Sequence, residues 1–491
     1  MAVVAADHVQ KLAVVAINKR TDKGKAVLRG DREKRPLLHW AEKVSRDVGF
    51  AGEKLIHHLK FDPGLTMQTW AGEDTLQDAK AINNLIQIET PYSNWFTNMK
   101  LVHDHYKKYG FTILPNSMGN SVKGRVKAMS GAEFERLVRT VDEDIESFDD
   151  SWDMKADLML HRQGTASTDT VGLAGILPAN MLGSFGGHYR TREPLIQHVC
   201  FAGAAGATGV NSIGPSATIS TDSAKGTLIQ TLEKALMLVK SRAALSGIKG
   251  GRFVSFAGSG AIEKLRREYR AWGIHYNLDA ASPGKVDLLI LEEDLVFGRL
   301  PVIWDPTLDQ MDVIAASERA LGLAGGSVAF SGGAGSGAKA VVYTSAAGAI
   351  TDVVVTARGS GYTSAPTVAV SGLGAGTGAT FQAYVYSASS GTGLVQVEAD
   401  DNRIGQVAYV AVTAAGSGYT SASYIDFTDC IYILWEPSWE LRPQEGLDKY
   451  ISIPPDSPRV RSTEVQCDGT YFWRCLYNRA QAVIHCGADA S

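Results

Sequence analysis

The sequence predicts an α+β fold made of several units. Three observations support this: a long amphipathic stretch at 130–163, a mixture of helical and buried-strand patterns between 227 and 305, and a Gly-rich repeat between 321 and 428. The 491 residues are enough for about two to four domains with a sizeable core. A hydrophobic content of 45% and a charged content of 20% are typical of a folded protein rather than a disordered one.

The stretch at 130–163 has the longest regular period in the chain. Its large apolar residues are spaced 4, 3, 4, 3 and 4 positions apart, which places one stripe along a helix: Phe134, Val138, Val141, Ile145, Phe148 and Trp152. Ser130 and Glu133 form a capping box at its start, and Gly164 supplies its end. Such a helix is about 50 Å long and suits a scaffold for other segments.

Charged residues concentrate in two places. Residues 1–35 contain nine Lys and Arg against four Asp and Glu, and the candidate contact residues among them are Lys19, Arg20, Lys23, Lys25 and Arg29. The second half of the predicted helix is acidic, with Asp142, Glu143, Asp144, Glu146, Asp149, Asp150 and Asp153. Each region is either a solvated surface or a contact for a partner of opposite charge. We expect the basic arm of one copy to pair with Asp142, Glu143 and Glu146 of another.

Residues 50–95 carry few helix signals. Gly and Pro recur there, and short apolar groups such as Leu55 and Ile56 alternate with polar residues. The pattern predicts an extended two-stranded excursion. Because such an excursion buries little within itself, it needs another surface to lie on.

Further along the chain the patterns alternate. A strand is predicted at 111–114, a Gly-rich hairpin at 171–190, helices at 227–245 and 260–272, and buried strands at 286–291 and 295–305. A strand returns at 432–437, and 471–486 is predicted as a final strand pair. These elements describe an α/β layer with its own core.

The composition changes abruptly at about residue 321. Residues 321–425 contain 19 Gly and only 7 charged residues, and the heptapeptide GSGYTSA occurs at 359 and again at 416. Alternating Val residues run into each copy, as at Val353 and Val355, so each copy is predicted as a strand followed by a tight turn. GSGAKAVVY at 335–343 and GTGATFQAYVY at 376–386 supply a second strand to each unit. We predict a small all-β domain inserted at 321–428.

The residues do not favour an enzyme, a cofactor or a metal site. The Gly-rich segments lack the G-K-[ST] ending of a phosphate-binding loop, and no G-x-S-x-G motif occurs. His103 and His105 have no third ligand close by in the sequence, and the five Cys show no C-x-x-C spacing. The net charge of −4 gives no general case for nucleic-acid or membrane binding. The odd number of Cys favours free thiols, Asp7, His8 and Lys11 interrupt the apolar N-terminal stretch, and no run reaches 18 apolar residues. These observations predict synthesis and folding in a cytoplasm.

The order of these parts resembles the major capsid proteins of tailed bacteriophages, which have the Hong Kong 97-like fold. A long helix ending in LMLHRQGTAS is followed by VGLAGILP, a Gly-rich hairpin, VFGRLPVIWDP, YILWEPSWELRP and NRAQAVIH. The resemblance covers most of the chain outside 321–428. It implies an N-terminal arm at 1–49, an extended loop at 50–95, a peripheral domain at 96–195 and 429–491 with the spine helix at 130–163, and an axial domain at 196–320.

The resemblance also implies a function. The chain would assemble with itself into hexamers and pentamers of an icosahedral head in the host bacterial cytoplasm, without a membrane. Its partners would be a portal and, if assembly needs scaffolding, a separate scaffolding protein, because no long N-terminal scaffolding segment is present. Packaged double-stranded DNA would make only weak non-specific contacts inside the shell.

Two further expectations accompany this reading. Some relatives join a Lys of the extended loop covalently to a neighbouring subunit; Lys54 and Lys60 are the candidates here, and we expect no such cross-link. The alternative function is a β-repeat virion or tail protein that binds host surface glycans, which predicts mostly β-structure.

Overall fold

The fold is α+β, as the sequence predicts. The computed structural model describes residues 2–5, 12–13, 15, 21–22, 25–26, 34–44, 54–60, 85–102, 111–114, 131–164, 169–180, 182–192, 196–201, 227–246, 250–271, 295–297, 300–399, 401–422, 424–443, 450–452 and 462–486. The α-helices are α1 Pro36–Val44, α2 Gly131–His161, α3 Leu173–Ile176, α4 Thr227–Leu245, α5 Ser259–Ala271 and α6 Pro306–Ile314.

The strands fall into three groups along the chain. Before the insertion they are β1 Ala2–Ala5, β2 Thr21–Asp22, β3 Lys25–Ala26, β4 Lys54–Lys60, β5 Leu85–Pro91, β6 Ser93–Val102, β7 Phe111–Leu114, β8 Ser184–Phe185, β9 His188–Tyr189, β10 Val199–Phe201, β11 Phe253–Ala257, β12 Leu295–Phe297 and β13 Leu300–Trp304. Within it they are β14 Ser327–Ser331, β15 Ser336–Thr344, β16 Ile350–Ser360, β17 Thr367–Ser371, β18 Thr377–Ser387, β19 Leu394–Gln396 and β20 Val407–Ser417. After it they are β21 Cys430–Trp435, β22 Trp439–Pro443, β23 Tyr450–Ser452, β24 Ser462–Cys475 and β25 Ala482–His485.

Helix α2 confirms the predicted spacing. Val141, Ile145, Phe148 and Trp152 of the stripe are buried, and Leu137, Ala156 and Leu160 extend it at both ends. The chain leaves the helix through Gly164, whose φ is +72°. A side chain there would bring its Cβ within 2.6 Å of the Thr170 carbonyl oxygen, so both the backbone angle and the space favour glycine.

A six-stranded mixed sheet forms the second layer, in the order β10-β25-β21-β11-β13-β12. Helices α4 and α5 pack on it through buried residues such as Leu232, Val239 and Leu265. Strands β21 and β25 were predicted to belong to the peripheral domain, yet they lie between β10 and β11 of the predicted axial domain. The boundary at 429 is therefore corrected, because hydrogen bonding between strands distant in sequence decides membership of the sheet.

The second sheet of the host fold is built around β24. Its neighbours are β22 and β23 on one edge and β6 on the other, where ten residues pair antiparallel from Ser93 with Tyr471 to Val102 with Ser462. Trp95 packs its ring 4.5 Å from Tyr471 and 6.5 Å from Trp152 of α2. This sheet and the long helix therefore share one core.

The N-terminal segment is more than a solvated arm. Residues 36–44 form α1, and Trp40 of this helix lies 5.8 Å from Phe256 and 6.3 Å from both Trp439 and Trp473, measured between ring centroids. The predicted arm at 1–49 is therefore corrected at 36–44, which is part of the main core. The short apolar run Leu37, Leu38 and Trp40 was too brief to stand out as a helical period in the sequence.

The predicted excursion is a two-stranded antiparallel ribbon. Strands β4 and β5 pair in unbroken register from Lys54 with Pro91 to Lys60 with Leu85. The described side chains differ along the ribbon, since Ile56 is 54% exposed whereas Ile88 is 1% exposed.

The insertion contains two matching hairpins, as the repeat predicts. Strand β15 pairs with β16, and β18 pairs with β20. The corresponding glycines Gly359 and Gly416 have φ values of +64° and +63°. The two units are hydrogen-bonded to each other. The Tyr362 N–H donates to the Gly405 carbonyl (2.9 Å), and the Tyr419 N–H donates to the Gly348 carbonyl (3.0 Å).

The ends of the insertion lie side by side. Leu321 and Tyr424 form an antiparallel bridge, and the Ile425 N–H donates to the Ala320 carbonyl at 2.8 Å. Tyr343 and Val354 of the first hairpin nevertheless belong to the host core. The predicted strand at 286–291 lies outside the described residues.

Candidate functional site

A buried cluster of charged residues joins the long helix to the six-stranded sheet. His161 in the last turn of α2 is 0% exposed, and its Nε2 lies 2.8 Å from an oxygen of Asp305, which is also 0% exposed. Asp157, one turn earlier in α2, is 1% exposed, with an oxygen 3.8 Å from His161 Nδ1. We call Asp157, His161 and Asp305 the His161 cluster.

Local sequence explains how each member is held. Asp305 follows strand β13 and is the N-cap of α6, where its carboxylate accepts the Thr307 N–H at 3.1 Å and Pro306 occupies the first turn. Asp157 accepts the Leu38 N–H of α1 at 3.2 Å and the Thr307 hydroxyl. The cluster therefore connects three helices that are far apart in the sequence.

A protonated imidazole satisfies both hydrogen bonds of the His161 ring. His161 Nδ1–H donates to the Asp157 carbonyl oxygen at 2.8 Å, and Nε2–H donates to the Asp305 carboxylate. Burial lowers the pKa of His161, but the negative charges of Asp305 and Asp157 outweigh this and raise it to about 9. Burial is also the main reason why the pKa of Asp157 is raised above its ordinary value.

The cluster has the geometry of a buried ion pair. Among the described residues it is the one group of three whose possible ligand atoms lie within 4.8 Å of one another. Asp305 lies at Nε2 of His161, and the Asp157 oxygen lies nearest Nδ1. Each ring nitrogen therefore faces a different aspartate.

A second set of charges holds the start of the insertion. Arg162 donates through Nε and a terminal nitrogen to Glu318, at 2.9 and 2.6 Å, and the other Glu318 oxygen accepts the Gln163 N–H at 2.9 Å. The next residue, Arg319, pairs with Asp426 and lies 5.3 Å from the ring centroid of Tyr424. The helix end and both ends of the insertion are thereby fixed together.

The β8–β9 hairpin contacts both the extended ribbon and the insertion. His188 Nε2–H donates to the Gln87 carbonyl of β5 at 3.1 Å, and a Cβ on Gly186 would lie 2.3 Å from Ile88. Arg192, just after β9, lies 5.0 Å from the Tyr189 ring centroid and 4.9 Å from that of Tyr409 in the insertion.

Some of the predicted contact residues lie in the described part of the chain. Glu143 and Glu146 are exposed on α2 and line a groove of about 460 Å³, where Arg35 donates to the Asp150 carbonyl at 3.0 Å. Glu143 also pairs with Arg139 at 3.1 Å, and Asp142 is half-buried. Pairing between copies stays a prediction.

The remaining candidates are only partly described. Lys19, Arg20, Lys23 and Arg29 lie outside the described residues, as do His103 and His105. For Lys25, Lys54 and Lys60 the structure describes the backbone, in strands β3 and β4.

Neither the burial of Asp153 nor the His161 cluster was predicted from the sequence. Asp153, predicted as part of the acidic surface, is 2% exposed, and Asp157 and His161 of the His161 cluster were not predicted as a site. The available signal was spacing, because 153 and 157 lie four residues apart beside the buried positions 152 and 156. Asp305 carries the usual signal of an N-cap, an Asp-Pro after a strand.

Solved structures that are similar to this chain come from capsids. At 12% identity and a TM-score of 0.44, the chain is similar to one in the cyanophage A-1(L) capsid asymmetric unit, over 95% of this chain and 98% of that one. The cyanophage Pam1 capsid asymmetric unit gives 11% identity and a TM-score of 0.37 over 96% of both chains. The procapsid structure of satellite phage P4 gives 8% and 0.34, over 97% and 99%. Neither a family model nor a curated protein matches the sequence.

All three of these structures come from phage capsids or a procapsid. The β-repeat alternative accounts for the insertion alone, since the rest of the described chain contains six α-helices and a six-stranded mixed sheet. In the described part of the chain, the helices are too short or too polar to cross a membrane.

Proposed function

We propose that this chain is a major capsid protein of the Hong Kong 97 type, which assembles with itself into the icosahedral head of a tailed phage around double-stranded DNA. One observation carries the proposal: the extended ribbon and the strand that follows it present large apolar side chains outward. Ile56 of β4 is 54% exposed and Phe96 of β6 is 61% exposed. Covering the exposed part of each would contribute about 0.8–1.8 kcal/mol, repeated at every subunit of a shell.

The parts of the fold take the following roles in this proposal. The arm is 1–49 with α1 embedded in the core, the extended loop is 50–95, and α2 is the spine helix of a peripheral domain built from 96–195 and the sheet around β24. The axial domain is 196–320 together with β21 and β25. The insertion at 321–428 is an added domain on the outside of the shell, since a position inside would occupy genome volume.

The proposed partners follow from assembly. The subunit contacts copies of itself in hexamers and pentamers and a portal at one vertex, during assembly in the bacterial cytoplasm. If assembly needs scaffolding, a separate protein supplies it. Many weak contacts repeated by symmetry stabilise such a shell, so the role of the chain is structural rather than catalytic.

Expression of the chain alone tests the proposal. We expect hexamers, pentamers or shells by electron microscopy and sedimentation. Phe96→Asp should abolish them while the circular dichroism spectrum stays unchanged, and Phe96→Leu, the matched control, should retain them. A wild-type chain that stays monomeric at high concentration, with and without crowding agents, would show that the proposed function is wrong.

A further inference from the structure

Strand β14, the first strand of the insertion, leaves one backbone edge unpaired within the described part of the chain. It pairs antiparallel with β17 over five residues, from Ser327 with Ser371 to Ser331 with Thr367, and these two strands form a sheet of their own. None of the described backbone hydrogen bonds from loops and turns reaches 327–331. One row of backbone N–H and C=O groups on β14 is therefore free to pair with another strand.

The inward side chains of β14 are incompletely covered. Val328 and Phe330 pack against the core that the two hairpins of the insertion share, yet both are only half-buried. Ser327, Ala329 and Ser331 on the opposite side of the strand are exposed. Apolar surface that stays uncovered at a sheet edge is stabilised when a further strand covers it.

The edge also lacks the residues that usually protect an exposed strand. β14 contains no charged residue and no Pro, and two glycines flank it on each side, at 325, 326, 332 and 333. Strand β17, on the other edge of the same sheet, directly follows Pro366, and its Val368 is 9% exposed. Charged residues and prolines at an edge discourage pairing with another chain. Of the two edges, β14 is therefore the one that can accept a strand.

The sequence of β14, SVAFS, is compatible with a second copy of itself. An antiparallel partner must place inward residues opposite inward residues, because a slip of one position would turn Phe330 to the wrong face. The register that meets this condition and pairs all five residues puts Ala329 opposite the same residue of the second copy, and Val328 opposite Phe330. Aromatic and β-branched side chains that lie opposite each other stabilise a sheet.

We propose that β14 pairs antiparallel with β14 of a second copy about a two-fold axis at Ala329. Two insertions then share one continuous sheet in the order β17-β14-β14-β17, and the half-buried Val328 and Phe330 of each copy cover those of the other. A two-fold contact closes on itself, so each insertion binds one other insertion. The pairing depends on this edge alone and not on the proposed capsid function.

Cysteine cross-linking of the full-length chain tests the pairing. Ala329→Cys should bring two Cβ atoms of different copies to about 4.5–5.5 Å, close to the separation in a disulfide. Mild oxidation should therefore give covalent dimers on non-reducing denaturing gels. The five native Cys are buried and should not contribute.

Ala369→Cys is the matched control. Ala369 of β17 is exposed on the same face and lies opposite Ala329 within one chain. In the proposed sheet the two copies of residue 369 are three strand spacings apart, about 14 Å, which is too far for a disulfide. The yield of covalent dimers should be at least about tenfold lower than for Ala329→Cys.

A second pair of variants checks the register. Ser327→Cys alone should give few dimers, because the two copies of residue 327 lie four positions apart along the paired strands. Adding Ser331→Cys should restore dimers, since 327 of one copy lies opposite 331 of the other.

Absence of covalent dimers from Ala329→Cys, or equal yields from Ala329→Cys and Ala369→Cys, would overturn the proposal, provided that the circular dichroism spectra match the wild type. Sedimentation separates this result from the capsid function. Particles that assemble without such dimers would overturn the pairing and leave the capsid function intact. Dimers from a chain that forms no particles would support the pairing and contradict the capsid function.

Discussion

The insertion and the host fold around it are held together by contacts of different range. In the insertion, hairpin partners such as β15 and β16 are close in sequence, and charged residues are few. In the host, β6 pairs with β24 across more than 350 residues, and the buried pair of His161 with Asp305 connects elements 144 residues apart. The host therefore depends on contacts between distant segments, whereas the insertion is held by hairpins and by contacts between its own two units.

The largest change in stability is expected when the insertion is removed. Replacing 322–424 by a short Gly/Ser linker should leave a folded, helix-containing subunit, because the two ends that the linker joins lie side by side, with the Ile425 N–H bonded to the Ala320 carbonyl. The free energy of unfolding should fall by about 3–6 kcal/mol, since Tyr343 and Val354 leave the host core. Circular dichroism and urea unfolding would measure both effects. Loss of all folded helix would mean that the insertion belongs to the main core.

Within the host fold, the largest effect of a single substitution is expected at the His161 cluster. His161→Ala should cost about 3–5 kcal/mol at pH 6, because the buried Asp305 carboxylate loses the imidazolium that it pairs with. Since the folded pKa of about 9 lies above the unfolded value of 6.5, this contribution is complete below pH 6.5 and is lost as the pH rises through about 9.

Urea unfolding at pH 6 and pH 9.5, for the wild type and this variant, gives the measurement. Glu143→Ala is the control, since it breaks the exposed Arg139–Glu143 pair and should cost only about 0.3–0.5 kcal/mol. An equal loss for His161→Ala at both pH values would contradict a charged imidazole.

The repeat glycines test the local contacts of the insertion. A Cβ at Gly359 would lie 2.4 Å from the Ser336 carbonyl oxygen, and one at Gly416 would lie 2.6 Å from Ala379 N. Gly359→Ala and Gly416→Ala should therefore each destabilise the insertion by a similar amount, about 2–3 kcal/mol. Gly337→Ala is the control with a φ of +81° and no contact closer than 3.7 Å, and should cost only about 1 kcal/mol. Amide hydrogen exchange would measure the stability of the insertion in each variant. Unequal effects at 359 and 416 would argue against equivalent units.

The smallest effects per residue are expected on the acidic surface of α2. Replacing Asp142, Glu143 and Glu146 by Lys should leave the monomer folded, because exposed pairs contribute only about 0.2–1 kcal/mol each. Shell yield should fall, since the basic arm of a neighbouring copy would meet a surface of like charge. Particle counts at two salt concentrations would measure this. Normal particles from the variant would rule out the arm–helix pairing.

Patterns within one element were predictable from the sequence. The helix α2, the helix at 227–245 and the two insertion hairpins all follow from short-range periodicity or from a repeated turn. The ribbon of β4 and β5 was likewise evident from Gly and Pro punctuation. Each of these depends on residues that are close together in the chain.

Contacts between distant segments were not predictable in the same way. Nothing local marks Asp305 as the partner of His161, because they are 144 residues apart and each also fits an ordinary role, as an N-cap and as a helix-end His. The place of β21 and β25 in the six-stranded sheet likewise depends on pairing that a single sequence does not display. The position of α1 in the core is decided by an aromatic pocket whose walls come from residues 256, 439 and 473.

The β8–β9 hairpin has a mechanical consequence. It is bonded to the extended ribbon through His188 and Gln87, and it touches the insertion through Arg192 and Tyr409. A force that tilts the insertion is therefore transmitted to β5 through a hairpin only a few residues long. The insertion and β5 cannot move separately while these contacts hold.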